Sequence, residues 1–203
     1  VNYFRVSTFE RDYYLNLVGD YGQAVQISIH YPTAYIAANR ERIFPDWKNQ
    51  STLWMIVVLQ QSLYPLNKST PAIELEKQRL RKSFMKFGLE LAFTLEDVTP
   101  PTLKPQKYRT DIIDPRTGYP LLSRPGETPH DDTATVKALL NYPIIYNRCR
   151  LLVHPHWGTA VYPGIMISTA PPQEIMAVIP DVARVCGWYE MVDFQTLISQ
   201  RMF

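Results

Sequence analysis

Seven prolines fall between residues 100 and 129, at Pro100, Pro101, Pro105, Pro115, Pro120, Pro125 and Pro129. Each fixes its own φ and lacks an N–H donor, so no helix and no central strand runs through the segment. A solvated linker is equally excluded, because Leu103, Tyr108, Ile112, Ile113, Tyr119, Leu121 and Leu122 are too apolar to remain in water. Asp114-Pro115-Arg116-Thr117-Gly118 is a turn signal inside it. The expectation is an ordered excursion, an arm or a long structured loop, on one α+β domain spanning 1–203.

Elsewhere the hydrophobic period assigns the elements. Val25, Ile27 and Ile29 alternate with Gln26, Ser28 and His30, which reads as a half-buried strand. Phe4 and Val6 suggest an earlier strand, and Gly19-Asp20-Tyr21-Gly22 a turn between them. Thr33 caps a short helix that stops before Pro45. The run Leu53 to Leu59 is apolar without a period and fits a buried element of either kind. Thr70-Pro71 opens a helix, which Gly88 is expected to end in a left-handed conformation. Leu89, Leu91, Phe93 and Leu95 then alternate with polar neighbours as a strand over 89–97.

Asp131, Asp132 or Thr133 caps a helix to about Leu140. Strands are expected over Ile144–Val153 and Val161–Ser168, joined as a hairpin. Thr169 to Pro172 opens a helix that Pro180 should kink or split and Gly187 should close, with a strand over Trp188–Leu197. The chain thus twice gives an apolar segment, a helix, a glycine and a strand, over 53–98 and 161–197. The fold class expected is α+β, a largely antiparallel sheet with two helix–Gly–strand units of split-βαβ type.

Charge excludes some functions. Twenty-one basic and 19 acidic residues leave +2, so nucleic acid is not favoured as a partner. The helix after Thr70 places Arg79, Lys82 and Lys86 on one stripe, the best candidates for anion contact, although Glu74 and Glu76 share the helix. The start Val1-Asn2-Tyr3-Phe4-Arg5 shows no signal peptide, and the longest apolar run is too short for a membrane span. A cytoplasmic or virion location is expected. Cys149 and Cys186 stand in apolar contexts and read as reduced, buried thiols.

No local motif dictates a chemistry. There is no Gly-x-Ser-x-Gly, no phosphate-binding glycine loop, and Ser123-Arg124-Pro125-Gly126 is a turn. His154-x-His156 would put two imidazoles on one side of a strand, with Asp131, Asp132 or His130 as a third ligand, but Pro155 breaks regular pairing. No metal and no cofactor are therefore expected, and the reading leans away from an enzyme. Thirteen tyrosines exceed what a core of this size needs, and interfaces favour that residue. The leading expectation is a non-enzymatic structural or assembly subunit, a virion or phage tail or capsid component for example. Other protein chains would be its partners, met through Tyr108, Ile112, Ile113, Tyr119, Leu121 and Leu122. The alternatives are an enzyme or nucleic-acid-processing factor built around His154, His156 and Asp131, and a small-ligand-binding domain.

Overall fold

The computed structural model describes residues 13–98, 107–147 and 149–190. Its centre is a pair of long strands, β3 (Trp54–Gln61) and β7 (Val161–Ser168), which run antiparallel in the register Val57↔Ile165. Both are covered on two faces. That is why the run from Leu53 shows no alternation: Met55 through Leu59 are all buried, and a strand buried on both sides has no polar face to display.

Around this pair the sheet grows outward. β2 (Ala24–His30) adds to β3 and β1 (Tyr14–Val18) to β2, through the turn at Gly19–Gly22. β8 (Tyr189–Glu190) closes that side, and β4 (Thr110–Ile113) lies beyond β7, giving the order β4-β7-β3-β2-β1-β8. Every pairing is antiparallel, as the fold class requires.

One face carries two helices packed on each other, α3 (Pro71–Asp97) and α5 (Pro172–Cys186), over Val25, Ile27, Ile56, Val58 and Met166. The other face is covered over β3, β7 and β4 by α1 (Ala34–Ala38), α2 (Arg40–Ile43), a 3-10 turn at Pro45–Trp47 and α4 (Asp132–Leu140). A small separate hairpin, β5 (Ile144–Asn147) with β6 (Cys149–Leu152), joins this second layer. The caps are those the residues suggest. Thr33, Thr70 and Asp131 each accept a backbone N–H, and Gly187 at φ 84° ends α5. No helix among the described residues is long and apolar enough to cross a membrane.

Several expectations are corrected. Helix α3 does not stop at Gly88, and no strand covers 89–97; one helix runs through to Asp97. Leu80, Phe84, Phe87, Leu91 and Leu95 form one helical stripe, all buried. Burying Leu91 and Leu95 is worth roughly 1.5–3 kcal/mol each. That outweighs the helix penalty of about 1 kcal/mol for one glycine. Gly88 is needed for close approach: a Cβ there would lie 2.6 Å from Ile112 Cγ1. Only the second helix–Gly–strand unit is therefore real. Pro180 does not split α5, which is one element across it.

The expected strand 144–153 is instead the β5–β6 hairpin, and it does not pair with β7. Mutual backbone bonds between His154 and Gly158, at 2.8 and 2.9 Å, turn the chain first. The proline-rich segment is not a protruding arm in its described part. Ile112 and Ile113 are core residues, so they are lost as interaction candidates; β4 lies at a sheet edge, where prolines permit a strand nearby. The loop after it is strapped down by Trp47 Nε1–H to Ser123 Oγ (3.2 Å), by Arg124 on Asp46, and by Thr128 N–H to the Arg42 carbonyl. Tyr108 and Tyr119 are half-buried, and only Leu121 and Leu122 remain exposed. The strand expected at Phe4–Val6, residue Leu103 and the chain beyond Glu190 lie outside the described residues.

The contact at Gly88 is directly testable. Gly88→Ala gains about 1 kcal/mol of helix propensity but drives a methyl into Ile112, and such overpacking costs about 1–3 kcal/mol. The expected urea-unfolding result is net destabilisation of about 1 kcal/mol. In an Ile112→Ala background the same change should become stabilising. A stabilising Gly88→Ala in the wild-type chain would contradict the close approach.

Candidate functional site

The loop holding His154 and His156 does not form the site expected of it. The backbone N–H groups of His156 and Trp157 donate to His154 Nδ1 at 3.1 and 3.2 Å. Nδ1 therefore carries no proton, and Nε2–H donates to Gln26 Oε1 at 2.9 Å. The ring stacks on Trp157 at 3.8 Å and meets the edge of Tyr142. Burial, helped by His156, pushes its pKa down to about 4. A neutral imidazole with both nitrogens engaged has no lone pair to give a metal. Asp131 is occupied elsewhere, capping α4 through Ala134 N–H and pairing with Arg150 at 2.6 Å. Among the described residues, no group of three His, Cys, Asp or Glu side chains is placed to hold a metal ion.

Ionisable groups gather instead where α4 begins. His130 is buried, with Nδ1 2.7 Å from Asp132 Oδ1 and Nε2 2.8 Å from Thr135 Oγ1. Asp132 Oδ2 is buried with no partner among the described residues. Burial raises the Asp132 carboxyl pKa, and the His130 bond only partly opposes it. Tyr162, reaching over from β7, has its phenol pKa raised far above the usual value, first by burial and then by the Asp132 charge. On its other side Arg81 forks onto Asp114 with two 2.7 Å bonds, which hold that carboxyl low.

A cavity of about 510 Å³ opens over this cluster, walled by Pro115, Thr117, Pro129, Asp132, Tyr162 and Pro163. Hydroxyl, imidazole and carboxyl stand in hydrogen-bond order, yet all three side chains are buried. Thr135 offers no attacking oxygen to solvent. The trio fastens α4 to the turn at Gly118, whose carbonyl accepts His130 N–H at 2.8 Å.

The sequence places Asp131 and Asp132 together as helix-end carboxylates. The structure separates them: Asp131 is the cap, Asp132 a core acid. Tyr162 and the Arg81–Asp114 pair, 33 positions apart, were missed; the only local signal was Asp114 at the head of a turn. The expected anion stripe is largely spent. Arg79 forks onto Glu76 and lies over the Tyr21 ring at 4.4 Å, and Lys86 Nζ donates to the Val185 carbonyl. Cys186 is a buried free thiol, its pKa pushed up to about 11 by burial.

Asp132→Asn keeps an acceptor for His130 and removes the buried acid. It should leave stability at pH 7 within about 1 kcal/mol, whereas Asp132→Ala should cost about 1–3 kcal/mol by stranding the imidazole N–H. Equal losses in chemical denaturation would contradict this. A second test is acid titration. Burial holds His30 at about 4, as it does His154. Between the unfolded value of about 6.5 and 4 the unfolded chain binds more protons, so stability should fall as pH drops through that window. Carboxylates held low, such as Asp114, act below it. His30→Gln should flatten the dependence; an unchanged slope would refute the assignment.

The comparison with curated proteins gives no match. The family model described as methylmalonic aciduria and homocystinuria type D protein matches residues 10–179 of the 203. The span takes in every strand of the main sheet except β8, together with the cluster at His130. A family named for a metabolic condition overturns the expectation of a virion or phage structural subunit, and with it the assembly role. Matched over most of its length, the chain belongs to the methylmalonic aciduria and homocystinuria type D protein family.

Proposed function

We propose that this chain takes part in the cellular handling of cobalamin, vitamin B12, as a trafficking protein. The family match over residues 10–179 carries the reading. The family is named for methylmalonic acid and homocystine together, and two unrelated metabolites failing jointly point to delivery of a cofactor their disposal shares. The side-chain geometry supports a role exercised through the surface. His130 and His154 have both ring nitrogens engaged, and the Cys186 thiol is neutral and buried, so none of these three is offered to cobalt.

The test is genetic and chemical. Removing the gene from its source cells should raise methylmalonic acid and homocysteine together, and re-expressing the chain should restore both. Unchanged metabolite levels in cobalamin-limited medium would sink the proposal.

A further inference from the structure

Several hydrogen-bonding groups around the start of α4 are unspent, and they share one cavity. Arg116, Asp132, Thr133 and Tyr162 all wall the space of about 510 Å³ over the His130 cluster. They come from three directions: Arg116 from the turn after β4, Asp132 and Thr133 from the first turn of α4, and Tyr162 from β7. The hydroxyls of Thr133 and Tyr162 bond to no described residue. Helix α4 has nine residues, and its first N–H groups lack an intrahelical acceptor. Asp131 satisfies two of them, Ala134 N–H through its side chain and Thr135 N–H through its carbonyl. The N–H groups of Asp132 and Thr133 are left over.

A helix end alone is no site, but Asp132 adds an independent sign. Its side chain is 9% exposed, and Oδ1 is taken by His130 while Oδ2 has no partner. A buried polar atom left unpaired is costly, and the cavity that Asp132 walls is where a partner can reach it. Burial favours the neutral carboxyl. Oδ2 then bears the proton and is a donor, as are the Tyr162 and Thr133 hydroxyls.

The charges agree once all are counted. Arg81 is spent on Asp114, and Arg150 on Asp131. With Asp132 neutral, the exposed Arg116 is the charge around the cavity without an opposite among the described residues, and the positive end of α4 adds to it. A carboxylate ligand offers two acceptor oxygens, whereas a phosphate group offers three, which suits donors arriving from a turn, a helix and a strand. Small-molecule sites run to about 300–1,000 Å³, so an organic body fits beside the phosphate, against Pro115, Pro129 and Pro163. We propose that this cavity binds the phosphate group of a small phosphorylated molecule, through the Arg116 guanidinium, the N–H groups of Asp132 and Thr133, and the hydroxyls of Thr133 and Tyr162, with the Asp132 carboxyl as a further donor. The proposal stands independently of the cobalamin reading.

Calorimetric titration of the full chain at fixed ionic strength tests it with three probes: phenyl phosphate, inorganic phosphate and n-butylammonium. Phenyl phosphate should bind with a Kd below about 1 mM, inorganic phosphate at least about threefold more weakly, and the ammonium not detectably. Arg116→Ala, at an exposed position and checked by its thermal melt, should weaken phenyl phosphate about tenfold. Asp132→Asn exchanges one donor for another and should leave binding within about threefold. Loss of binding in Asp132→Asn, or tighter binding of n-butylammonium than of phenyl phosphate, would mean that the site takes a cation and would overturn the proposal. So would no phenyl phosphate binding at about 10 mM, indifference to Arg116→Ala, or inorganic phosphate binding as tightly as the ester.

Discussion

The bare backbone of Gly164 in β7 lets the Phe84 ring of α3 lie directly on the sheet. A Cβ there would sit 2.6–2.8 Å from the ring carbons. Four residues along the helix, Gly88 repeats the arrangement against Ile112 of β4. These two missing methyls set how near a 27-residue helix approaches the strands. Gln60 exploits that nearness, donating from β3 to the Leu80 carbonyl at 2.8 Å. Everything α3 carries inherits its position from this seat: the Arg81 fork that reaches Asp114, the buried Glu76 that ties down the loop at Leu63, and the exposed Lys82. A wider separation would forfeit dispersion contact along the whole stripe from Leu80 to Leu95.

Local chemistry was legible where one residue decides it. Thr33 and Thr70 announce their helices because a side-chain oxygen satisfies a backbone N–H of the first turn, whereas for α4 the residues left Asp131, Asp132 and Thr133 open and the structure selects Asp131. Gly187 announces an end because it takes up a left-handed φ. Gly88 misled because two physical uses of glycine look alike in sequence, and only the tertiary neighbour Ile112 tells them apart. The alternation of Leu89, Leu91, Phe93 and Leu95 was a coincidence of spacing; Leu91 and Leu95 are buried, while Phe93 points outward. The site was less legible still. Asp132, Tyr162 and Asp114 come from three stretches of chain, and sheet topology brings them together. The order that places β7 between β3 and β4 is written in no single stretch.

The same asymmetry governs function. His154 and His156 looked chemical because imidazoles two apart invite a metal, yet Gln26, 128 positions away, claims one nitrogen of His154 and the loop's own backbone claims the other. What the residues withheld, the family match supplies. A chain whose buried polar groups help to hold its layers together belongs to a family named for two metabolites.

The prolines have one more consequence. An edge strand is a template on which another chain's strand can grow, and β4 is such an edge. Pro120 bridges to Ile113 along it, Leu121 N–H takes the Ile112 carbonyl at 3.0 Å, and Asp111 Oδ1 binds the N–H groups of Ile112, Leu121 and Leu122. The strand-like segment laid against β4 brings a residue that cannot donate, and a carboxylate locks it in place. The sheet is terminated there, and the proline-rich segment acts as a guard against fibrous self-association.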